Sequence, residues 1–142
     1  MPLEIKVRKI NPDAKIPCYA HPGYAGMDLF SCEDYILKPG ERRLFPTGLQ
    51  MELPKGYEMQ IRPKSGLALK HGITVLNTPG TIDSSYRGEV GIILFNSSGE
   101  NYEVKSGEKI AQAVISKFET ASIVEINELS ETSRGEGGFG ST

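Results

Sequence analysis

The 142-residue sequence contains no tryptophan, only two cysteines and little excess charge of either sign. Sixteen Lys and Arg residues stand against 18 Asp and Glu residues, which gives a formal net charge of −2. Without a block of basic residues the chain lacks the charge needed to neutralise a nucleic-acid duplex, so nucleic acid is not expected as a partner. Cys18 and Cys32 match neither a disulfide framework nor a zinc-site spacing, and we expect neither role for them.

Long hydrophobic runs are also absent. The longest apolar stretches, such as Val90 to Phe95, fall far short of the ~20 residues that a helix needs to cross a bilayer. The N-terminal sequence MPLEIKVRKI carries too many charges for a signal peptide. These features predict no membrane partner and a cytoplasmic location. The chain length suffices for one hydrophobic core, so we expect one folded domain.

Glycine and proline are frequent: 16 Gly and 9 Pro interrupt the chain and leave room only for short elements. The segment Ser65–His71 contains helix-forming residues, a serine suited to the N-cap position, and Gly72 as a stop. The sequence therefore predicts an all-β fold with one short helix. Strands are predicted over Leu3–Ile10, Arg43–Met51, Tyr57–Arg62, Ile73–Asn77, Val90–Asn96, Asn101–Val104, Lys109–Phe118 and Ser122–Ile126.

The last eleven residues, TSRGEGGFGST, contain four glycines and one large apolar side chain. Such a segment cannot bury enough surface to order itself. It carries Arg134 and Phe139, a cation and an aromatic ring on a flexible tether, which suit a lid over an anionic, planar ligand such as a nucleotide. We therefore divide the chain into a folded domain over residues 1–131 and a flexible arm over 132–142.

Four segments combine glycine with a polar group able to act on a ligand, and two of them lie in the first half of the chain. In AGMDL, Asp28 lies between apolar residues, a placement that also suits an Asx turn. In RPKSG, two cations flank the predicted helix start at Ser65, where backbone N–H groups and positive charge bind phosphate. An ordinary N-cap with solvated basic neighbours explains RPKSG equally well.

The other two segments lie in the second half of the chain. The polar loop NTPGTIDSSYRGE joins two β-like runs and contains Asp83, one of only four aspartates. A hairpin whose Asp and Ser side chains bond to their own backbone is an alternative interpretation of this loop. In KIAQAVI, alternation places Gln112 on the face of Ile110 and Val114, where a buried amide needs hydrogen-bond partners. An ordinary polar position on a strand with one wet face is the alternative there.

In sequence order, AGMDLFS, RPKSGLALKHG, NTPGTIDSSYRGEVG, GEKIAQAVI and RGEGGFGST resemble the five motifs of the homotrimeric dUTP diphosphatases (dUTPases). These segments cover the chain from residue 25 to 142. The resemblance implies a distorted jelly-roll or β-barrel subunit, and a homotrimer in which residues of more than one chain build each active site. It also implies hydrolysis of dUTP to dUMP and pyrophosphate by attack of water on the α-phosphate, which removes dUTP and supplies dUMP for thymidylate synthesis.

The resemblance assigns a role to each matching position. Asp83 matches the carboxylate that orients and deprotonates the attacking water, and Asp28 matches the aspartate that holds Mg²⁺ through the metal's water shell. Tyr86 matches the tyrosine that packs beneath the deoxyribose and excludes a 2′-hydroxyl. Arg134 matches the arginine that reaches the γ-phosphate, and Phe139 matches the ring that stacks on uracil. The remaining substrate-binding positions are Lys64, Ser65, Gly66 and Gln112 at the phosphates, and Asn77, Gly80, Thr81, Ile82 and Gly91 at the uracil.

One position departs from the family pattern. The second motif commonly carries an arginine where this chain has Lys64. A lysine is a compact point charge and cannot form a bidentate fork on phosphate, although it is an accepted phosphate binder. Arg62, two positions earlier, would assist only if its side chain faces the site.

Two alternative functions remain open at this point. A dCTP deaminase shares the broad fold and a similar loop, but related deaminases carry a glutamate shortly after the third-motif glycine, where this chain reads GII at 91–93. A non-catalytic dUTP-binding relative would be expected to have lost the base or the arm. Asp83, Arg134 and Phe139 are all present, which favours the hydrolase.

Overall fold

The computed structural model describes residues 2–141, which form short strands and one helix. The strands are β1 Lys6–Lys9, β2 Gly26–Phe30, β3 Tyr35–Leu37, β4 Arg42–Pro46, β5 Leu49–Glu52, β6 Tyr57–Arg62, β7 Ile73–Val75, β8 Gly80–Ile82, β9 Gly91–Asn96, β10 Tyr102–Val104 and β11 Lys109–Lys117. Helix α1 spans Ser65–His71. The prediction of an all-β fold with a single short helix is confirmed for these residues.

All strand pairs are antiparallel and form four sheets around one core. The largest sheet has the order β2-β11-β6-β8, and a second sheet has the order β4-β9-β7. Two further pairs, β1 with β5 and β3 with β10, complete the described body. The strands of residues 2–141 therefore make a jelly-roll-like stack of sheets and do not close into one continuous barrel.

Alternating side chains of the two main sheets build this core. In β9, Ile92 and Leu94 point inward and are fully buried, whereas their neighbours on the strand are only partly buried. Burying each such side chain contributes about 1.5–3 kcal/mol. Asn96 at the end of β9 is also buried, and its Nδ2 donates to the carbonyls of Leu37 and Glu100 at 3.0 and 2.8 Å. Both hydrogens of this buried amide are thus satisfied.

Helix α1 has the predicted bounds but not the predicted cap. Gly72 ends it in the left-handed conformation with φ 66°, and its N–H returns to the carbonyls of the last turn. The N-cap is Lys64, which makes no side-chain capping bond. Ser65 is the first helical residue, so its assignment as the N-cap was wrong.

The strand predictions fail where a partner strand or a turn decides the outcome. Ser122–Ile126 was predicted as a strand, but it forms none within the described residues, because no neighbouring strand of the same chain accepts its hydrogen bonds. Arg43–Met51 is divided into β4 and β5 by Gly48, whose φ of 70° no extended strand adopts. The strands β2, β3 and β8, of three to five residues, were not predicted.

Residues 118–136 are exposed throughout and follow the last strand of the body. Ile123 and Leu129 are 90% and 85% exposed, which is unusual for large apolar side chains. Within residues 2–141, no helix is long and apolar enough to cross a membrane. Cys18 is exposed and Cys32 is buried, and neither forms a disulfide in the described structure.

Candidate active site

A buried carboxylate with two lysine partners lies at one end of the largest sheet. Asp28 on β2 is only 3% exposed. Lys64, just before α1, places its Nζ 2.5 Å from Oδ1, and Lys109 at the start of β11 places its Nζ 3.3 Å from Oδ2. Burial alone would raise the pKa of Asp28, but the hydrogen bonds and charges of the two lysines outweigh it and hold this pKa below its usual value.

The lowered pKa predicts a pH-dependent effect of Asp28→Asn. Because the folded-state pKa lies below the unfolded value of about 3.9, the carboxylate stabilises the fold at neutral pH, and this contribution is lost as the pH falls through the folded-state pKa. We expect Asp28→Asn to lower the free energy of unfolding by about 1–2 kcal/mol at pH 7, with the difference shrinking below about pH 4. Urea unfolding at pH 7 and pH 3 measures this. The exposed Asp13→Asn is the control, and equal destabilisation at both pH values would mean that packing, not charge, is responsible.

Gln112 ties the same end of the sheet to the start of the helix. Its Nε2 donates to the Pro63 carbonyl at 2.9 Å, immediately before Lys64. The side chain crosses over Gly26, where an added Cβ would lie 2.1 Å from Gln112 Oε1. The glycine that precedes Asp28 by two residues therefore provides the space in which this amide lies.

The helix start itself is accessible, whereas Arg62 is directed elsewhere. Ser65 and Gly66 are exposed in the first turn of α1. The N–H groups of a first helical turn have no acceptor within the helix. Arg62 donates from Nη2 and Nε to Gln60 Oε1 on its own strand, at 2.7 and 3.2 Å. Of the two cations in RPKSG, Lys64 is thus the one that the structure places beside Asp28.

A separate cavity of about 300 Å³ opens at the loop between β8 and β9, two strands that lie in different sheets. We call it the hairpin cavity, after the hairpin-like loop that the sequence predicts there. Its wall consists of Leu44, Thr81, Ile82, Asp83, Tyr86, Glu89 and Gly91. The Asp83 carboxylate is exposed at this wall. Tyr86 donates its hydroxyl to the Glu89 carbonyl at 2.8 Å, and an added Cβ on Gly88 would lie 2.4 Å from the Tyr86 hydroxyl oxygen. The ring is therefore held along its own loop.

Asn77 and Gly80 lie in the chain just before the loop that carries Asp83 and Tyr86. An added Cβ on Gly80 would lie 3.2 Å from Asn77 Nδ2 and 3.3 Å from Ile61 Cβ. Gly80 is buried, and it pairs with Ile61 at the start of β8. The absence of a side chain at Gly80 thus lets the Asn77 amide approach the strand backbone closely.

Strand register separates the hairpin cavity from the Asp28 cluster, by which we mean Asp28, Lys64, Lys109 and Gln112. Gln112 lies opposite Arg62 on β6, whereas Ile82, the residue before Asp83, lies opposite Met59. Three strand residues span about 10 Å, and β8 runs toward the far end of β6. The walls of the cavity include none of Asp28, Lys64 and Gln112. One chain therefore carries both groups but does not bring them to one place.

The C-terminal arm lies apart from both groups. Arg134 Nε donates to the Gly137 carbonyl at 2.7 Å, and the hydrogen bonds of residues 132–141 in the described structure stay within the arm. Phe139 is fully exposed and has a positive φ of 53°. Neither residue contacts the hairpin cavity of its own chain.

The residues near Asp28 offer little to a metal ion on their own. The described residues contain no group of three or more His, Cys, Asp or Glu side chains that would hold one. Asp28 supplies a single carboxylate, and both of its oxygens face lysines. Mg²⁺ retains water and is commonly shared with substrate phosphates, so this donor set fits a metal held mainly by a ligand and reached from Asp28 through water.

Three residues of these sites were not predicted from the sequence. Lys109 is the second partner of Asp28, and Leu44 and Glu89 line the hairpin cavity. Lys109 gave no signal in the sequence, because its place beside Asp28 depends on the pairing of β11 with β2. Leu44 gave no signal, because its place at the cavity depends on the pairing of β4 with β9.

An all-β chain with a cationic cluster beside a short helix, and a carboxylate in a polar hairpin cavity, has the features of an enzyme that acts on a phosphorylated small molecule. The dUTPase family model matches residues 12–142, and the chain belongs to the dUTPase family. The resemblance found in the sequence is thereby confirmed.

Named relatives agree with this assignment. The chain is 59% identical over 140 residues to the deoxyuridine 5′-triphosphate nucleotidohydrolase of Nautilia profundicola, covering 99% of both chains. It is 60% identical over 140 residues to the enzyme of the same name from Clostridium novyi, again with 99% coverage of both. Relatives therefore match along nearly their whole length.

Solved structures share the fold at lower sequence identity. The dUTPase of Staphylococcus bacteriophage 80alpha, solved with dUpNHpp, superposes with a TM-score of 0.91 at 28% identity over 98% of both chains. A mutant dUTPase of phage phi11 of S. aureus, which coordinates a structural Mg(II) ion, has a TM-score of 0.83 at 26% identity, covering 90% of this chain and 99% of that one.

Proposed function

We propose that this chain hydrolyses dUTP to dUMP and pyrophosphate by attack of water on the α-phosphate. The observation that carries the proposal is the hairpin cavity, which combines the Asp83 carboxylate, the Tyr86 ring and exposed strand backbone in a space of about 300 Å³. This volume lies at the lower end of the range for small-molecule pockets. Family membership and the named relatives support the same substrate. Hydrolysis of dUTP would supply dUMP for thymidylate synthesis, and we place this reaction in the cytoplasm.

The hairpin cavity would bind the nucleoside. Asn77, Gly80, Thr81, Ile82 and Gly91 would pair the uracil edge with backbone groups and one amide. A base with the wrong donor and acceptor pattern would leave such groups unpaired, at a cost of about 1–3 kcal/mol for each buried group. The Tyr86 ring would lie beneath the deoxyribose and exclude a 2′-hydroxyl. Asp83 would accept the proton of the attacking water.

The Asp28 cluster would bind the triphosphate. Lys64, the α1 start at Ser65 and Gly66, and the Gln112 amide would face phosphate oxygens, since positive charge and free N–H groups favour anions there. Asp28 would reach Mg²⁺ through water. A metal ion bound to the phosphates stabilises charge that develops on the leaving pyrophosphate.

These two groups would meet in a homotrimer with shared active sites. Within one chain, strand register keeps Asp83 away from Asp28 and Gln112 by about 10 Å or more, which supports a site in which a second copy would supply one of the two groups. The exposed apolar residues of 118–131, such as Ile123 and Leu129, provide surface that another copy would cover. Analytical ultracentrifugation should give a mass three times that of one chain, and a monomer that is fully active would contradict the shared site.

The arm over residues 132–142 would close each site. Arg134 would gain charge-assisted hydrogen bonds only when a terminal phosphate is present, which makes closure depend on a triphosphate. Phe139 would stack on the exposed face of the uracil, an interaction worth about 1–3 kcal/mol. The ring is fully exposed in the described structure and is therefore accessible to a base.

Pyrophosphate release from dUTP, measured with and without Mg²⁺, tests the proposal. We expect release with dUTP and Mg²⁺, much less after the metal is chelated, and little with UTP or dTTP. Ammonia release from dCTP tests the deaminase alternative, and we expect none. Binding of dUTP without any release of pyrophosphate would instead support a non-catalytic binding protein.

A further inference from the structure

The turn that carries Asp83 and Tyr86 runs outside the sheets, between the end of β8 and the start of β9. Inside it, the Tyr86 N–H donates to the Asp83 carbonyl at 3.1 Å. Exposed turns with few internal bonds open at little cost in free energy. The relative position of the carboxylate and the ring therefore depends on what else holds the turn.

Arg87 bonds to this turn and to a neighbouring strand at the same time. Its Nη1 donates to the carbonyls of Ser84 at 2.7 Å and of Tyr86 at 3.1 Å. Its Nη2 lies 3.6 Å from Glu52 Oε1 at the end of β5, and the other oxygen of Glu52 lies 3.5 Å from Lys6 Nζ. A planar guanidinium holds its N–H donors in a fixed fork, so one side chain fixes two carbonyls of the same turn.

The Tyr86 ring follows the backbone that Arg87 holds. Its hydroxyl donates to the Glu89 carbonyl, and the space beside Gly88 is too small for a Cβ. The ring is thus tied to the loop at both its ends and has little freedom to move independently of residues 86–89. A displacement of the turn backbone therefore also displaces the ring.

We propose that Arg87 is a positioning residue that fixes the position of the Tyr86 ring relative to the Asp83 carboxylate. This inference rests on the proposed function, because it assumes that the two groups act on one nucleotide. The ion pair with Glu52 is exposed and contributes little by itself. The two carbonyl bonds, both donated by Nη1, are the contacts that matter. A lysine has enough donors for them, but its flexible ammonium lacks the rigid planar geometry that holds both carbonyls in place.

The test compares Arg87→Gln, Arg87→Lys and Glu52→Gln with the wild-type chain, using kcat/KM for dUTP and UTP. A small misplacement of reacting groups can cost about 10²-fold, so we expect Arg87→Gln to lower kcat/KM for dUTP by about 10- to 10²-fold. It should also lower the preference for dUTP over UTP, because the ring no longer blocks a 2′-hydroxyl. The kcat/KM of Arg87→Lys should lie between those of the wild-type chain and Arg87→Gln. The kcat/KM of Glu52→Gln should stay near the wild-type value.

Arg8→Gln is the matched control, because Arg8 lines the same groove as Arg87 and Glu52 but lies outside the turn. Amide hydrogen exchange of residues 83–88 gives a readout that needs no activity. Of the three glutamine variants, only Arg87→Gln should exchange faster than the wild-type chain. An unchanged dUTP-to-UTP preference together with unchanged exchange would overturn the inference. If the wild-type chain releases no pyrophosphate from dUTP, the proposed function fails, and the exchange rates then decide whether Arg87 holds the turn.

Discussion

Asp83→Asn should lower dUTP turnover by about 10²–10⁴-fold, the usual contribution of a placed general base. The amide cannot accept the proton of the attacking water, yet it keeps the size of the side chain and its place on the cavity wall. Binding of a non-hydrolysable dUTP analogue should therefore change little. Steady-state pyrophosphate release gives the rate, and calorimetric titration with the analogue gives the affinity.

Asp13→Asn is the control for this experiment, since it removes an exposed carboxylate that does not line the cavity. It should leave both turnover and binding at wild-type values. If Asp83→Asn retained near-normal turnover, another group would have to accept the proton and the assignment of the base would be wrong. If it lost analogue binding as well, Asp83 would serve mainly to hold the sugar.

Removal of residues 132–142 should produce the second large effect, a drop in turnover of about 10²-fold or more. If the arm acts as proposed, the truncated chain would lose a stacking ring worth about 1–3 kcal/mol and the charge-assisted contacts of Arg134 with phosphate. The melting temperature should be nearly unchanged, because the arm bonds only to itself within the described residues. Differential scanning fluorimetry and pyrophosphate release measure the two quantities.

Single substitutions separate the two contributions of the arm. Phe139→Ala should weaken dUTP binding by the loss of stacking, and Arg134→Gln should weaken it by the loss of the phosphate contacts. Because closure depends on a triphosphate, neither substitution should change dUMP binding much. Glu136→Gln changes one charge between these residues and should behave as wild type. A truncated chain with full activity would show that the arm is no lid.

Local signals in the sequence were sufficient for the helix and for the longest strands. Ser65–His71 was bounded by a stop glycine, and Tyr57–Arg62 was predicted with its observed ends, because each signal lies inside the element itself. Ser122–Ile126 has the composition of a strand, but pairing needs a partner, and composition cannot reveal whether the same chain provides one. The same limit explains why β2 was missed: its polar Asp28 interrupts the apolar pattern, and only the lysines opposite explain that residue.

Motif order predicts candidate residues for the site but carries no information on how they are arranged. Asp28 was expected to face a metal through water, and its ion pairs with Lys64 and Lys109 became visible only in the folded chain. The contribution of Arg87 was also hidden, because its side chain combines hydrogen bonds within the turn with an ion pair to Glu52, 35 positions earlier in the sequence. Contacts between distant segments are set by strand register, which no single motif encodes.

The separation of Asp83 from Asp28 along β6 has a genetic consequence. If each catalytic centre draws on several copies, a chain defective in the hairpin and a chain defective in the arm carry complementary lesions. Mixed assemblies of two individually inactive variants would then contain some intact centres and regain part of the activity. A defective copy would also inactivate some of the active sites in the assemblies that it forms with wild-type copies. One damaged allele would therefore act dominantly.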